Sequence, residues 1–138
     1  MRITGFSISS LPPIEFGSGV LASLPAIARK FGTLALLVTG AGSLKSSALW
    51  PHITAGLEAE GVSWRHLAIP GEPSPLMVDD AVSALRTGKF DLVIGIGGGS
   101  ALDAAKAIAG LLKPGNSVMD HLEGVGPELP YVGPATPF

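Results

Sequence analysis

The sequence predicts an α/β domain with a mostly parallel sheet flanked by helices, and three observations predict it. Continuous apolar runs, the mark of strands buried on both faces, alternate with segments of helical period. Glycine and proline fall between these segments as loop punctuation. The third run, DLVIGI at 91–96, passes straight into three glycines and then an alanine-rich helix.

The elements follow in order. Val20, Leu21, Leu24, Ile27, Ala28 and Phe31 stand at helical spacing with Pro25 among them. Proline is tolerated in a first turn but not in a helix interior, so two short helices are expected, the second starting at Pro25. LALLVT at 34–39 is the first buried strand, broken by Gly40-Ala41-Gly42-Ser43. A helix is expected over 49–60, with Pro51 in its first turn and Gly61 past its end. VSWRHLAI at 62–69 is a second strand with partial alternation, and PGEPSP is a loop. An amphipathic helix over 75–87 carries Leu76, Val78, Ala81, Val82 and Leu85 on one side, with Gly88 ending it. After the third strand, a helix is expected over 101–112, starting at or near Ser100 and closed by Lys113-Pro114-Gly115. GVGPELPYVGPATPF reads as a connecting segment, and a chain stopping inside it is expected to be truncated.

Composition narrows the function. The 138 residues are 46% hydrophobic and 14% charged, which supports a real core and argues against disorder. The formal net charge of -2, without a basic run, argues against nucleic acid as partner. The absence of cysteine excludes disulfides, thiolate metal sites and cysteine nucleophiles. The N-terminus lacks the pattern of a signal peptide, and no apolar run approaches the roughly 20 residues that span a bilayer. A cytoplasmic domain is the expectation, with neither nucleic acid nor membrane as partner.

The sharpest feature is the strand–glycine–helix unit at 91–109. A helix N-terminus offers unpaired N–H groups and the positive end of a dipole. Gly97, Gly98 and Gly99 allow an anion to approach the backbone, and Ser100 can cap the helix or donate its hydroxyl to a phosphate oxygen. The loop also follows a parallel strand, where open α/β sheets bind ligands. A pyrophosphate is the natural guest. The unit is neither the common dinucleotide fingerprint, which counted from Gly95 needs glycine at position 100, nor a Walker A loop. Glycine spacing alone leaves a phosphate loop and a merely tight turn about equally open. Asp103 and Lys106 share a helix face; spacing favours a solvated ion pair there, with orientation of a ligand as the alternative.

GGGSALDAAKAIA at 97–109 resembles the nucleotide-binding signature of the iron-containing (group III) alcohol dehydrogenases. IEFGSGVLASLPAIARKFG, LALLVTGAGSLKSSALW, GEPSPLMVDDAV and HLEG resemble further segments of that family, in the same order. The resemblance implies a Rossmann-like fold, that of a dehydroquinate synthase-like N-terminal domain, with residues 1–138 as the NAD(P)-binding domain. It implies a helical C-terminal domain, absent here, that holds a divalent metal, usually iron, through an Asp and three His. The metal acts as a Lewis acid, and hydride passes between an alcohol or aldehyde and the nicotinamide. Gly98, Gly99 and Ser100 would hold the pyrophosphate and Asp103 would lie near the nicotinamide end. No catalytic residue or metal ligand is carried over, so the chain alone is not expected to catalyse. Relatives on the same fold are weighed beside it: dehydroquinate synthases, glycerol and glycerol-phosphate dehydrogenases, maleylacetate reductases, or a non-catalytic nucleotide-binding module. Ser100, Asp103 and Lys106 together point to the alcohol dehydrogenase branch. A homo-oligomer is compatible with the family.

NAD-preferring members often carry an Asp where this chain has Gly40. Gly40 neither binds ribose hydroxyls through a carboxylate nor repels a 2′-phosphate. With Ser43 and Lys45 nearby, that favours NADP or dual use. His52, His66 and His121 lack metal-ligand spacing and are expected to be surface or packing residues. Trp50 and Trp64 are expected in helix–sheet packing, Glu58, Glu60 and Arg65 at the solvated surface, and Asp79-Asp80 in a first helical turn, where acids favour the dipole.

Overall fold

The computed structural model describes residues 12–138. The reading of residues 1–11 as lacking a signal peptide lies outside them. Three parallel strands, β1 (Leu34–Gly40), β2 (Ser63–Ile69) and β3 (Leu92–Ile96), form a sheet in the order β2-β1-β3. Helix α1 (Leu24–Arg29) precedes β1, α2 (Leu49–Ala59) joins β1 to β2, α3 (Pro75–Leu85) joins β2 to β3, and α4 (Gly99–Leu111) follows β3. All expected strands and helices are present with these small shifts of boundary. Val20–Ser23, the first of the two expected short helices, is a 3-10 turn.

The central strand explains the layering. Side chains alternate across a strand. Leu36 and Val38 of β1 face a core shared with α3 and α4, including Val78, Val82, Ala104 and Ile108. Ala35 and Leu37 face the opposite core, with Ala28 of α1 and Ile53 and Leu57 of α2. All four β1 residues are fully buried. Each such leucine or valine contributes about 1.5–3 kcal/mol by leaving water. The result is three layers, helices on either side of a parallel sheet.

At the N-terminal end of the sheet, the Asp91 carboxylate accepts the Thr33 and Leu34 N–H groups at 2.7 and 3.0 Å. This ties the start of β3 to the start of β1. Other expectations are corrected. Asp79 and Asp80 lie past the first turn of α3, which holds no acid. Asp79 instead accepts the Val118 N–H at 2.8 Å and the Ser117 hydroxyl, anchoring a 3-10 turn at Val118–His121. Glu58, Glu60 and Arg65 are exposed, as expected; the Arg65 guanidinium lies 5.9 Å from the Phe90 ring centroid, and Glu58 accepts the Trp64 indole N–H at 3.2 Å. The C-terminal segment is irregular, as a connection should be, yet well anchored. Tyr131 donates to the Gly110 carbonyl, the Thr136 N–H to Ala109, and the Val93 N–H to Pro137 at 2.8 Å, so the segment lies along the outer edge of β3.

Candidate functional site

The strand order places the site. From β1 the chain moves to one neighbour, β2, and then crosses to the other side of β1 for β3. The switch point falls between β1 and β3, and the crevice beyond their C-terminal ends is where open α/β sheets bind ligands. Gly40 ends β1, and Gly97–Gly99 follow β3. The two loops are neighbours: a Cβ on Gly97 would lie 3.6 Å from the Gly40 nitrogen.

The close fit of α4 on β3 aims its N-terminus at this crevice. The buried face of α4 is largely alanine (Ala101, Ala104, Ala105, Ala109), which brings its axis near the sheet. A Cβ on Gly95 would sit 3.0 Å from the Ala105 methyl, so β3 also gives up a side chain at the contact. Gly97 has φ +151, a backbone conformation that L side chains rarely adopt, and a Cβ there would meet Ala101 at 3.0 Å. The chain can therefore turn from strand to helix within two residues.

Helix α4 starts at Gly99, with Gly98 as its N-cap and no side-chain cap. The helix thus starts near Ser100, as expected, one residue earlier at Gly99, where the tight turn at Gly97 overrides glycine's low helix propensity. Ser100 lies inside the first turn and does not cap it. Its hydroxyl donates to Glu72 Oε1 at 2.8 Å, from the loop before α3. Sequence reasoning missed Glu72, an exposed acid 28 positions away. At Gly98 and Gly99 an added Cβ would meet nothing within 4 Å. The loop thus presents an uncapped helix start beneath open space, which fits the phosphates of a nucleotide. Asp103 is exposed farther along α4, 3.9 Å from Lys106. In the same crevice Gly40 also has open space where a Cβ would stand.

Behind Gly40, a second feature escaped the sequence. The Thr39 hydroxyl is fully buried and donates to the Gly40 carbonyl at 2.9 Å. His66 Nε2 lies 2.9 Å from the Thr39 hydroxyl oxygen. The His66 ring does pack, 4.8 Å from the Trp50 ring, and Trp50 meets Trp64 edge-on at 5.5 Å. Burial, and secondarily the Lys45 ammonium, hold the His66 pKa below its ordinary value. A lone histidine inside a strand gave no motif to find this by.

Among the described residues no three or more His, Asp or Glu side chains gather to hold a metal ion. The donors among the described residues do not fit an iron site. Likewise, no helix among them is long and apolar enough to cross a membrane.

These features define a class: a parallel α/β domain with an open glycine-rich turn at its switch point. Comparison with known proteins makes the assignment specific. The sequence model of the iron-containing alcohol dehydrogenases matches residues 12–137, and the chain belongs to that family. It is 38% identical over 117 residues to long-chain-alcohol dehydrogenase 1 of Geobacillus thermodenitrificans, covering 83% of this chain and 30% of that protein. It is 33% identical over 106 residues to NADH-dependent butanol dehydrogenase A of Clostridium acetobutylicum, covering 75% of this chain and 27% of that one. The crystal structure of NADH-dependent butanol dehydrogenase A from Thermotoga maritima superposes with a TM-score of 0.81 at 25% identity, over 92% of this chain and 32% of the other. The chain therefore spans about 30% of the length of these relatives.

Proposed function

We propose that the chain is the NAD(P)-binding part of a metal-dependent alcohol dehydrogenase. The observation that carries this is the uncapped start of α4 under open space at the β1/β3 switch point. In this reading the N–H groups at Gly98, Gly99 and Ser100 bind the pyrophosphate together with the Ser100 hydroxyl, assisted by the helix dipole. Gly97 supplies the turn. Gly40 borders the adenine ribose, and Asp103 lies toward the nicotinamide end. Bound nicotinamide would supply the hydride carrier for an alcohol–aldehyde couple. This chain's own residues bind and orient it. The metal, iron by family resemblance, and the catalytic ligands belong to a C-terminal domain in the rest of the relatives' length, so this stretch alone binds without turnover. The cytoplasm is the proposed compartment, and a homo-oligomer the proposed assembly.

Four of the relatives carry NADH dependence in their names. Gly40 leaves room for a 2′-phosphate and places no carboxylate against it, so both cofactors are accommodated, with NADP favoured. The test is calorimetric titration of the folded chain with NADH and NADPH. Saturable binding of at least one, weakened by Ser100→Ala, is the expected result. No binding of either overturns the reading.

A further inference from the structure

We propose that a cavity at the N-terminal end of β3 is a second anion site, one that takes the phosphate of a small phosphomonoester. It lies at the other end of β3 from Gly97–Gly99 and rests on no part of the nucleotide reading.

The cavity has a volume of about 600 Å³, within the range of small-molecule sites. Arg86 and Lys89 reach it from the turn before β3, and Lys113 from the end of α4. Asp91 is the one acid in its wall. In a chain of formal net charge -2, this wall carries three positive charges against one negative. The Asp91 carboxylate is already taken up by the Thr33 and Leu34 N–H groups. It pairs with none of the three cations: among the described residues the one ion pair joins Lys106 to Asp103.

Each cation is placed by its surroundings. The Arg86 guanidinium rests against Gly115, where an added Cβ would stand 2.5 Å from Cζ, so glycine there makes room for the flat group. Lys113 gives one proton to the Ala135 carbonyl at 3.2 Å and keeps two. Lys89 has φ 51, a left-handed conformation that glycine holds with less strain. The negative end of the α4 dipole accounts for cations beside it, Arg86 and Lys113, but not for a lysine in that turn or for the open space between them. Thr136 lines the cavity too and is only 2% exposed. Its hydroxyl has no hydrogen-bond partner among the described residues, and no sealed polar side-chain atom is left without one, so this oxygen opens to the cavity. Phe31, half exposed, supplies an apolar wall.

These groups set the guest. A phosphomonoester carries a charge of about -1.5 to -2 at pH 7, which matches the surplus of two positive charges in the wall. The guanidinium offers a planar fork to its oxygens, the ammoniums act as point charges, and the Thr136 hydroxyl adds a donor. The organic part then lies against Phe31.

The probe is phenyl phosphate, added to the isotope-labelled chain at about pH 7.5, where the dianion dominates. Backbone amide shifts report where it binds. The expected result is saturable shifts at Lys89, Phe90 and Lys113, with weaker binding of benzenesulfonate, a monoanion of the same body, and none of phenol. Lys89→Gly removes a charge and suits the left-handed backbone, so it keeps the fold; it weakens phenyl phosphate about three- to fivefold, with melting unchanged or raised. Arg86→Gln weakens it at least about tenfold. Shifts confined to Gly97–Ser100, equal shifts from sodium chloride at the same ionic strength, or undiminished affinity in folded Lys89→Gly each overturn the inference. Binding of benzenesulfonate as tight as that of phenyl phosphate overturns it as well. None of these results touches the nucleotide reading, whose own titration uses NADH and NADPH.

Discussion

The two ends of the sheet are built on opposite terms. At the N-terminal end the chain satisfies itself: the Asp91 carboxylate takes two backbone N–H groups and joins β3 to β1. At the C-terminal end the first turn of α4 has no side-chain cap, and Gly98 and Gly99 face empty space. The same sheet thus carries one end where backbone groups are tied down and one where they are left for a nucleotide. A substitution at Asp91 is read in stability, and one at the open loop in nucleotide affinity.

Asp91→Ala gives the largest expected stability effect. It strands the Thr33 and Leu34 N–H groups and costs about 1–3 kcal/mol, measured by urea denaturation, with nucleotide affinity of the folded fraction unchanged. Loss of affinity without loss of stability would break the comparison.

At the other end, Glu72 sharpens it. Its carboxylate holds the Ser100 hydroxyl beside the place proposed for a pyrophosphate. Like charges repel, and the hydroxyl must be released before it can serve a phosphate. Glu72→Gln is expected to raise nucleotide affinity about two- to fivefold in titration, with little change in melting. A weaker affinity would mean that Glu72 belongs to the binding surface.

The smallest effect is the pH dependence of stability through His66. An unfolded histidine titrates near 6.5, and the folded ring titrates lower. Between those values the unfolded chain binds more protons, so stability rises with pH. The contribution is full above about 6.5 and is lost as pH falls through the folded value. His66→Gln is expected to flatten this slope in denaturation curves taken across the window.

What the sequence revealed follows the same division. The apolar runs of β1 and β3 and the glycine loop between β3 and α4 were legible because each is local and contiguous. The Gly40 loop was legible as a break in an apolar run. Contacts between distant polar residues were not. Glu72 meets Ser100 across 28 positions, and His66 meets Thr39 across 27. Neither pair has a period or spacing to signal it. The start of α3 at Pro75 was legible, yet it puts Asp79 past the first turn, and the partner turn at Ser117 that Asp79 serves is not predicted by propensity.

The most direct test of the open-end account is Gly98→Val. Gly98 has φ -81 and ψ -171, extended backbone open to any residue, and an added Cβ meets no atom within 4 Å. The substitution therefore perturbs the free chain little and fills the space proposed for phosphate. Melting temperature and nucleotide titration are measured on the same sample. The account predicts an unchanged melting temperature with affinity for NADH and NADPH reduced at least about tenfold. Undiminished binding by the folded variant would contradict it.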